Sequence, residues 1–267
     1  METIKLGSTG KDVAFAKENL VRNGYQVVQN DLFDEKMKNA VIEFQRKNGL
    51  EADGIINDRT WEVILFIGRM DSGKLTEEDF NLTSKLLGCE TAALMAVHKV
   101  ETEGRKGFCA PGKPTILFEG HIFWKQLENK GIEPTKYVVG NEDILYPKWK
   151  RGYYKGGINE YERLEKARSI NQEAADASAS WGMFQIMGFN YKACDEESVE
   201  SFVMAMCESE RKQLILTARF IRRNGMLPAL INKNWSEFAR KYNGPSYAQN
   251  YYDKKLMDAY NSFNRER

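Results

Sequence analysis

The chain has 267 residues, of which 42% are apolar, enough for one large domain or two smaller ones with a buried core. Its 39 Lys and Arg stand against 38 Asp and Glu, so the basic excess of a phosphate-backbone binder is missing and nucleic acid is not an expected partner. No stretch approaches the ~20 apolar residues of a membrane span, and the opening "METIKLGSTGKDV" lacks the basic-then-apolar layout of a secretory signal, so synthesis and first residence are expected in the cytoplasm, with no membrane partner.

The first 67 residues read as a degenerate repeat. "VAFAKENLVRNGY" is a helix ending at Gly24, and "DEKMKNAVIEFQRKNGL" is a second one ending at Gly49. Asp34 suits the N-cap of the second, and Gly49 suits the left-handed position after its end. Met37, Ala40, Val41 and Phe44 follow the i, i+3, i+4, i+7 spacing of a helix face. A third helix is predicted from Asp58 to Phe66 with Trp61, Ile64 and Leu65 inward.

"GRMDSGKLTEEDF" is polar and aperiodic and reads as a linker over 68–75, with the boundary near Ser72. The remainder, 76–267, is mainly helical in pattern. Its middle, 105–160, is rich in Gly, Tyr and Pro and is expected to form loops with a short hairpin around "TILFE". The fold class is therefore mainly α, a small three-helix domain followed by a larger α domain with a short hairpin.

In "CETAALMAVHKVETEG" the residues Ala93, Leu94, Val97 and Val100 share one arc of a helical wheel, and Glu101 falls inside that arc. Glu103 sits at its flank and should reach water. Glu101 also lies in the last helical turn, where the negative end of the helix dipole disfavours an ionised carboxylate. Burial and dipole both push its pKa upward, which suits a general acid that must still be protonated near neutral pH. The competing reading is a buried Glu tied to a cation or a backbone amide.

Glu119 in "ILFEGH" is the other carboxylate flanked by apolar residues, either a base that positions water, an orienting partner, or a structural group at a strand end. Glu173 and Asp176 are rivals for that second role. Farther on, "ASASWGMFQIMGFN" carries no group that titrates near neutral pH. Within it Gly182 permits close approach of a ligand ring or a helix to the backbone. Gln185 offers a donor and an acceptor to a polar ligand, and Trp181, Met183 and Phe184 offer apolar surface or, alternatively, core. Ser180 reads as the cap of a helix starting here. "KYNGPSY" reads as a helix end and turn, with Tyr242 either near the acid or packed in the core, and with Tyr247, Tyr251 and Tyr252 packing on a further helix.

The four cysteines, Cys89, Cys109, Cys194 and Cys207, show no Cys-x-x-Cys pairing and are expected to be reduced and mostly buried. With only His98 and His121 present, a three-histidine metal site is impossible; a set of His98, His121 and Glu119 is the one metal arrangement left open, and no metal or other cofactor is expected.

Two resemblances add to this. "LGSTGKDV" and "AVIEFQRKNGLEADGIINDRTWEVI" resemble the peptidoglycan-binding domain of cell-wall hydrolases, which implies that residues 1–67 grip the wall polymer through a shallow groove; Asp31, Phe33, Asp53 and Thr60 are candidates for it, each also readable as a core or turn residue. "HKVETEG", "SWGMFQIMG" and "ARKYNGPSY", in that order, resemble the goose-type lysozyme and lytic transglycosylase superfamily. Together with "ILFEGHIFW" and "YAQNYYDKKL" they are more similar still to modular phage N-acetylmuramidases, over most of 76–263.

That resemblance implies a lysozyme-like second domain and hydrolysis of the β-1,4 bond between N-acetylmuramic acid and N-acetylglucosamine, with Glu101 as acid, Glu119 as second group, and Ser180, Gly182, Gln185, Tyr242 and Asn243 on the substrate. It further implies a monomeric endolysin that leaves the host cytoplasm for the wall after a separate protein permeabilises the membrane. A lytic transglycosylase forming 1,6-anhydro-muramic ends, a non-catalytic wall-binding phage protein and, more remotely, a metal peptidase stay open as alternatives.

Overall fold

The structure is a computed structural model that describes all residues except Met70, Ser72, Pro245, Ser246, Tyr247, Gln249, Glu266 and Arg267. The expected boundary at Ser72 and the expected packing of Tyr247 therefore lie outside the described residues. The chain divides into two compact units, residues 1–71 with 81–88, and residues 72–80 with 89–267.

The first unit holds helices α1 (Lys11–Arg22), α2 (Glu35–Lys47) and α3 (Asp58–Phe66). The Asp34 cap is the one the sequence calls for, accepting from the Met37 amide at 2.8 Å; α3 is capped by Asn57, which accepts from the Thr60 amide at 3.0 Å. Gly49 follows α2 at φ +67°. Val13, Leu20, Met37, Val41, Trp61, Ile64 and Leu65 are wholly buried, and each such side chain contributes about 1.5–3 kcal/mol by leaving water. Leu82 and Leu86, from helix α4 (Glu77–Leu87), complete this core.

Two of the candidate wall contacts are corrected here. Phe33 is completely buried in the core, and Thr60 is 2% exposed, so neither reaches a polymer. Thr60 and Asp53 serve a turn instead. The buried Gln45 amide donates to Asp53 Oδ1 at 2.9 Å and to Thr60 Oγ1 at 3.2 Å, and its carbonyl accepts from the Gly54 amide at 2.9 Å. Asp53 keeps an exposed edge, and Asp31 is exposed.

The second unit continues with α5 (Thr91–Thr102), β1 (Phe108–Ala110), β2 (Lys113–Pro114), β3 (Ile116–Phe118), α6 (Gly120–Asn129), α7 (Glu160–Arg168), α8 (Gln172–Ala177), β4 (Ala179–Trp181), β5 (Ile186–Met187), α9 (Val199–Glu208), α10 (Glu210–Arg223), α11 (Leu227–Ile231), α12 (Trp235–Asn243) and α13 (Tyr252–Arg265). It is mainly helical, with α13 packed along α5 and α12. β1 and β2 form a small antiparallel hairpin, and β3, β4 and β5 form a three-stranded antiparallel sheet with Leu117 opposite Ser180 and Ser180 opposite Met187.

Three expectations change. "SWGMFQIMG" does not start a helix: it is the β4–β5 hairpin, because Gly182 at φ +72° and Gln185 at φ +53° turn the chain back on itself. The "TILFE" strand finds its partner in this distant hairpin, not in a neighbour within 105–160. The same middle segment also contains α6, whose Phe123 and Leu127 are buried four residues apart. Among the cysteines, all four thiols are free, but only Cys194 is fully buried.

Candidate active site

Helix α5 delivers Glu101 at its last turn. Ala93, Leu94, Val97 and Val100 are buried beneath it, and the chain leaves the helix through Glu103 in a left-handed conformation at φ 48°. Burial pushes the Glu101 carboxyl up to about 7; a hydrogen bond from the Asn243 side chain and the more distant Lys255 and Arg105 oppose the rise, and Glu103 adds to it. The Asn243 amide nitrogen donates to Glu101 Oε1 at 3.0 Å. Glu103 and Lys255 belong to an open recess of about 470 Å³ between α5 and α13, so these two charges act on Glu101 from the solvated side.

Three elements meet at this carboxyl. Asn243 and Tyr242 come from the end of α12. The half-buried Tyr242 stacks on Phe238 at 5.8 Å, and its hydroxyl donates to the Phe184 carbonyl at 3.5 Å. Burial, and then the charge of Glu101, hold that phenol well above its ordinary range. The β4–β5 turn is the third element, tied to the end of α5 by Arg105, which donates to the Met183 carbonyl at 3.1 Å and to the Glu101 carbonyl at 3.5 Å.

The turn itself is built around glutamine side chains. Gln185 donates to the Gly182 carbonyl at 2.7 Å and the Thr115 carbonyl at 3.2 Å, and accepts from Ser180 Oγ at 2.8 Å. Both amide protons are thus spent within the protein, one in the turn and one on the residue before β3. Buried Gln213, from α10, accepts from the Met183 amide at 3.0 Å and donates to the Gly107 carbonyl at 3.1 Å. A Cβ at position 182 would come within 2.7 Å of the Gln213 side chain, so the close approach that Gly182 permits is to α10. Trp181, Met183 and Phe184 are 1–4% exposed; they are core, not a surface beneath a sugar. Tyr251 is 60% exposed, contrary to the expected packing, while Tyr252 is half-buried on α13.

Glu119 stands at the end of β3 and precedes α6. Its Oε2 accepts from the Tyr154 hydroxyl at 2.7 Å and lies 3.3 Å from His121 Nδ1; its Oε1 accepts no hydrogen bond among the described residues. Thr115, Leu117, Glu119, Gln185 and Met187 are all partly exposed, while Ile116, Phe118, Trp181 and Ile186 are buried. Strand alternation therefore puts Leu117, Ser180 and Met187 on the accessible face of the sheet, the face that Glu119 extends. The rival carboxylates have other duties: Glu173 pairs with Lys130 at 2.6 Å and the buried Asp176 with Arg168 at 2.6 Å. His98 sits edge-on between Phe80 and Phe184, and among the described residues no three His, Cys, Asp or Glu side chains gather as metal ligands would.

With this geometry in hand, comparison with known proteins is direct. The N-acetylmuramidase family matches residues 90–264, two thirds of the chain, and the peptidoglycan binding domain family matches residues 9–64. The chain belongs to the N-acetylmuramidase family. The crystal structure of a Burkholderia AP3 phage endolysin is similar over its whole length: 38% identity, 99% of this chain and 100% of that one covered, TM-score 0.67. No curated protein matches the chain. This N-acetylmuramidase is a peptidoglycan-hydrolysing enzyme in the modular arrangement of phage endolysins. None of its described helices is long and apolar enough to cross a membrane.

The N-acetylmuramidase also contains site-building residues that sequence reading passed over: Arg105, Gln213, Tyr154 and the buried pair Glu160–Arg163. Only Arg105 left a signal, its place directly after "VETEG". The others act through contacts that span 30 to 106 residues, which no local pattern encodes.

Proposed function

We propose that the enzyme hydrolyses the β-1,4 bond between N-acetylmuramic acid and N-acetylglucosamine, with Glu101 as general acid. The observation that carries this is the environment of Glu101: a half-buried carboxyl at the end of an apolar helix, raised to about 7, and reached by one neutral donor, Asn243. Such a group still holds a proton near neutral pH. It gives that proton to the glycosidic oxygen as the C1–O bond of the muramic residue breaks, and the N-acetylglucosamine leaves with a free 4-hydroxyl. Water adds to C1 from the other side or onto an intermediate, and loses its proton to a second group.

Glu119 is the second group in this reading. Tyr154 fixes its Oε2, and its Oε1 is left for a water or a sugar hydroxyl. Ser180, Gly182 and Gln185 hold the hairpin that forms one wall, and Tyr242 and Asn243 hold the acid against it. The N-terminal unit keeps the enzyme on its polymer, which raises the local substrate concentration. Asp31 and Asp53 are the members of the original candidate set that retain exposed surface for that contact.

Mass spectrometry of digested peptidoglycan tests the bond. Reducing N-acetylmuramic ends are expected; 1,6-anhydro ends would replace the hydrolase with a transglycosylase, and reducing N-acetylglucosamine ends would move the cut to the other linkage. Glu101→Gln tests the acid: wall lysis at the parental rate by that variant would remove it.

A further inference from the structure

The segment between Asp143 and Gly156 has no regular structure, yet both of its feet are fastened to one fully buried ion pair. Arg163 donates to the Asp143 carbonyl at 3.2 Å and 2.9 Å, and Glu160 Oε1 accepts from the Lys155 and Gly156 amides at 2.5 Å and 3.1 Å. The pair itself closes at 2.8 Å with both side chains wholly buried. The same two side chains hold the end of β3: Glu160 Oε2 accepts from the Phe118 amide at 3.1 Å, and Arg163 donates to the Phe118 carbonyl at 2.8 Å. The loop is thereby locked to the residue before Glu119.

Its tip, "PKWKRG", is exposed from Pro147 to Gly152. Trp149 leaves 57% of its surface in water. Toward the loop's second foot, Tyr154 donates its hydroxyl to Glu119 Oε2 at 2.7 Å, and its ring lies 5.5 Å from the Arg163 guanidinium. In the same segment Tyr153 stacks on Tyr146 at 5.3 Å, and Tyr146 stacks on His121 at 6.5 Å. Lys148, Lys150 and Arg151 flank the Trp, and among the described residues none of the three makes an ion pair.

We propose that this loop is a wall of the substrate groove that binds the glycan strand beside the scissile bond. Trp149 takes the apolar C–H face of a pyranose, and Lys148, Lys150 and Arg151 take carboxylates of the peptide stems on the same strand. The occupant is argued from continuity and charge. The loop that carries Trp149 also carries Tyr154, whose hydroxyl reaches Glu119 on the accessible face of the sheet, and peptidoglycan is a polymer that presents sugar faces and free carboxylates together. An acidic stem would be repelled by Glu119 itself, which reserves that end of the wall for neutral hydroxyls and acetamido groups. The inference rests on the peptidoglycan reading above.

The test uses the full chain in a Glu101→Gln background, measuring binding to purified insoluble peptidoglycan. Trp149→Ala should weaken binding roughly five- to tenfold, the loss of one stacking partner, with Trp149→Phe regaining most of it. A Lys148→Ala/Lys150→Ala/Arg151→Ala triple variant should weaken binding at low salt, with the deficit shrinking at high salt and vanishing on glycan whose stems have been removed. In the active enzyme, Trp149→Ala should act more on KM than on kcat. Contact made by the N-terminal unit multiplies affinity without changing these ratios.

Parental wall binding by Trp149→Ala would overturn the proposal. So would binding of the parent to phosphatidylglycerol vesicles that Trp149→Ala loses while its wall binding stays intact, since the tip would then be a membrane contact. Failure of the peptidoglycan reading is recognisable separately, because the wild type would then release no sugar ends and the Glu101→Gln parent would not bind the wall.

Discussion

The ends of α5 and β3 present the same sequence motif, a glutamate directly after apolar residues, and the fold treats the two in opposite ways. Glu101 is half-buried and receives a single neutral donor, Asn243, from 142 residues away. Glu119 is engaged by Tyr154, lies beside His121, and is backed by the buried Glu160–Arg163 pair. The first carboxyl is starved of partners and its proton is held near neutral pH; the second is held in place as part of a scaffold. What a carboxyl can do is thus decided by which donors reach it, and those donors come from remote parts of the chain.

The sharpest way to break the contrast is to neutralise Glu101. Glu101→Gln should lower kcat by about 10²–10⁴-fold, the range of a lost general acid, measured as release of reducing ends. The same substitution has an opposite effect on stability. With the folded-state value raised from 4.5 to about 7, the native state keeps a proton that the unfolded chain releases. The stability linked to that proton is complete below about pH 4.5 and is lost as pH rises through about 7. Gln cannot ionise and can still accept from Asn243. The variant should therefore match the wild type at pH 4 in urea unfolding and exceed it at pH 8 by roughly 2–3 kcal/mol; equal stability at both pH values would show that the carboxyl carries no burial penalty.

On the other side of the comparison, Arg163→Ala should cost about 3–5 kcal/mol in urea unfolding, because it leaves the Glu160 carboxylate buried without its cation. The loop over 143–156 loses its Asp143 foot, while Glu160 still accepts from the Lys155 and Gly156 amides, so activity measured well below the melting temperature should fall through KM more than through kcat. A variant with parental stability would mean that the pair does not organise the end of β3.

The difference between the two ends also explains what sequence could show. Helix α2 is legible down to its caps and α3 through its inward face, since Asp34, Gly49 and the Trp61, Ile64, Leu65 spacing are all local signals. Glu101 was legible for the same reason, one residue out of place on a helical arc. The β4–β5 hairpin looks in sequence like a helix start because its conformation depends on strand β3, more than 60 residues earlier, and on Gln213 filling the space over Gly182. Phe33 and Thr60 were placed in a groove because core and turn residues share the types that line grooves. Tyr154, Glu160 and Arg163 gave no signal at all, since an ion pair at i, i+3 on α7 looks like any solvated helix face until the fold closes over it.

A smaller effect separates orientation from proton transfer at Glu119. Tyr154→Phe removes the hydroxyl that fixes Oε2 and should lower kcat by about threefold to tenfold, the worth of one hydrogen bond. Glu119→Gln should lower it further if the carboxylate handles a proton, and by the same amount if it only orients. Anomeric analysis of the product by proton NMR accompanies this, because a carboxyl pair about 6.5–9.5 Å apart inverts at C1 and a pair about 5–5.5 Å apart retains.

The smallest and most specific change concerns the one donor that Glu101 does have. The Asn243 amide stabilises the ionised carboxyl and so holds its pKa down against burial. Asn243→Ala removes that hold, and Glu101 should keep its proton to higher pH. The falling alkaline limb of kcat against pH should move up by about half a pH unit or more, although the maximum rate drops because the acid is less well oriented. Asn243→Asp should move the limb further in the same direction, since a like charge 3.0 Å away opposes ionisation. A limb that moved down, or that stayed fixed in both variants while the rate fell, would mean that another group sets the alkaline side of the profile and that Asn243 only packs beside Glu101.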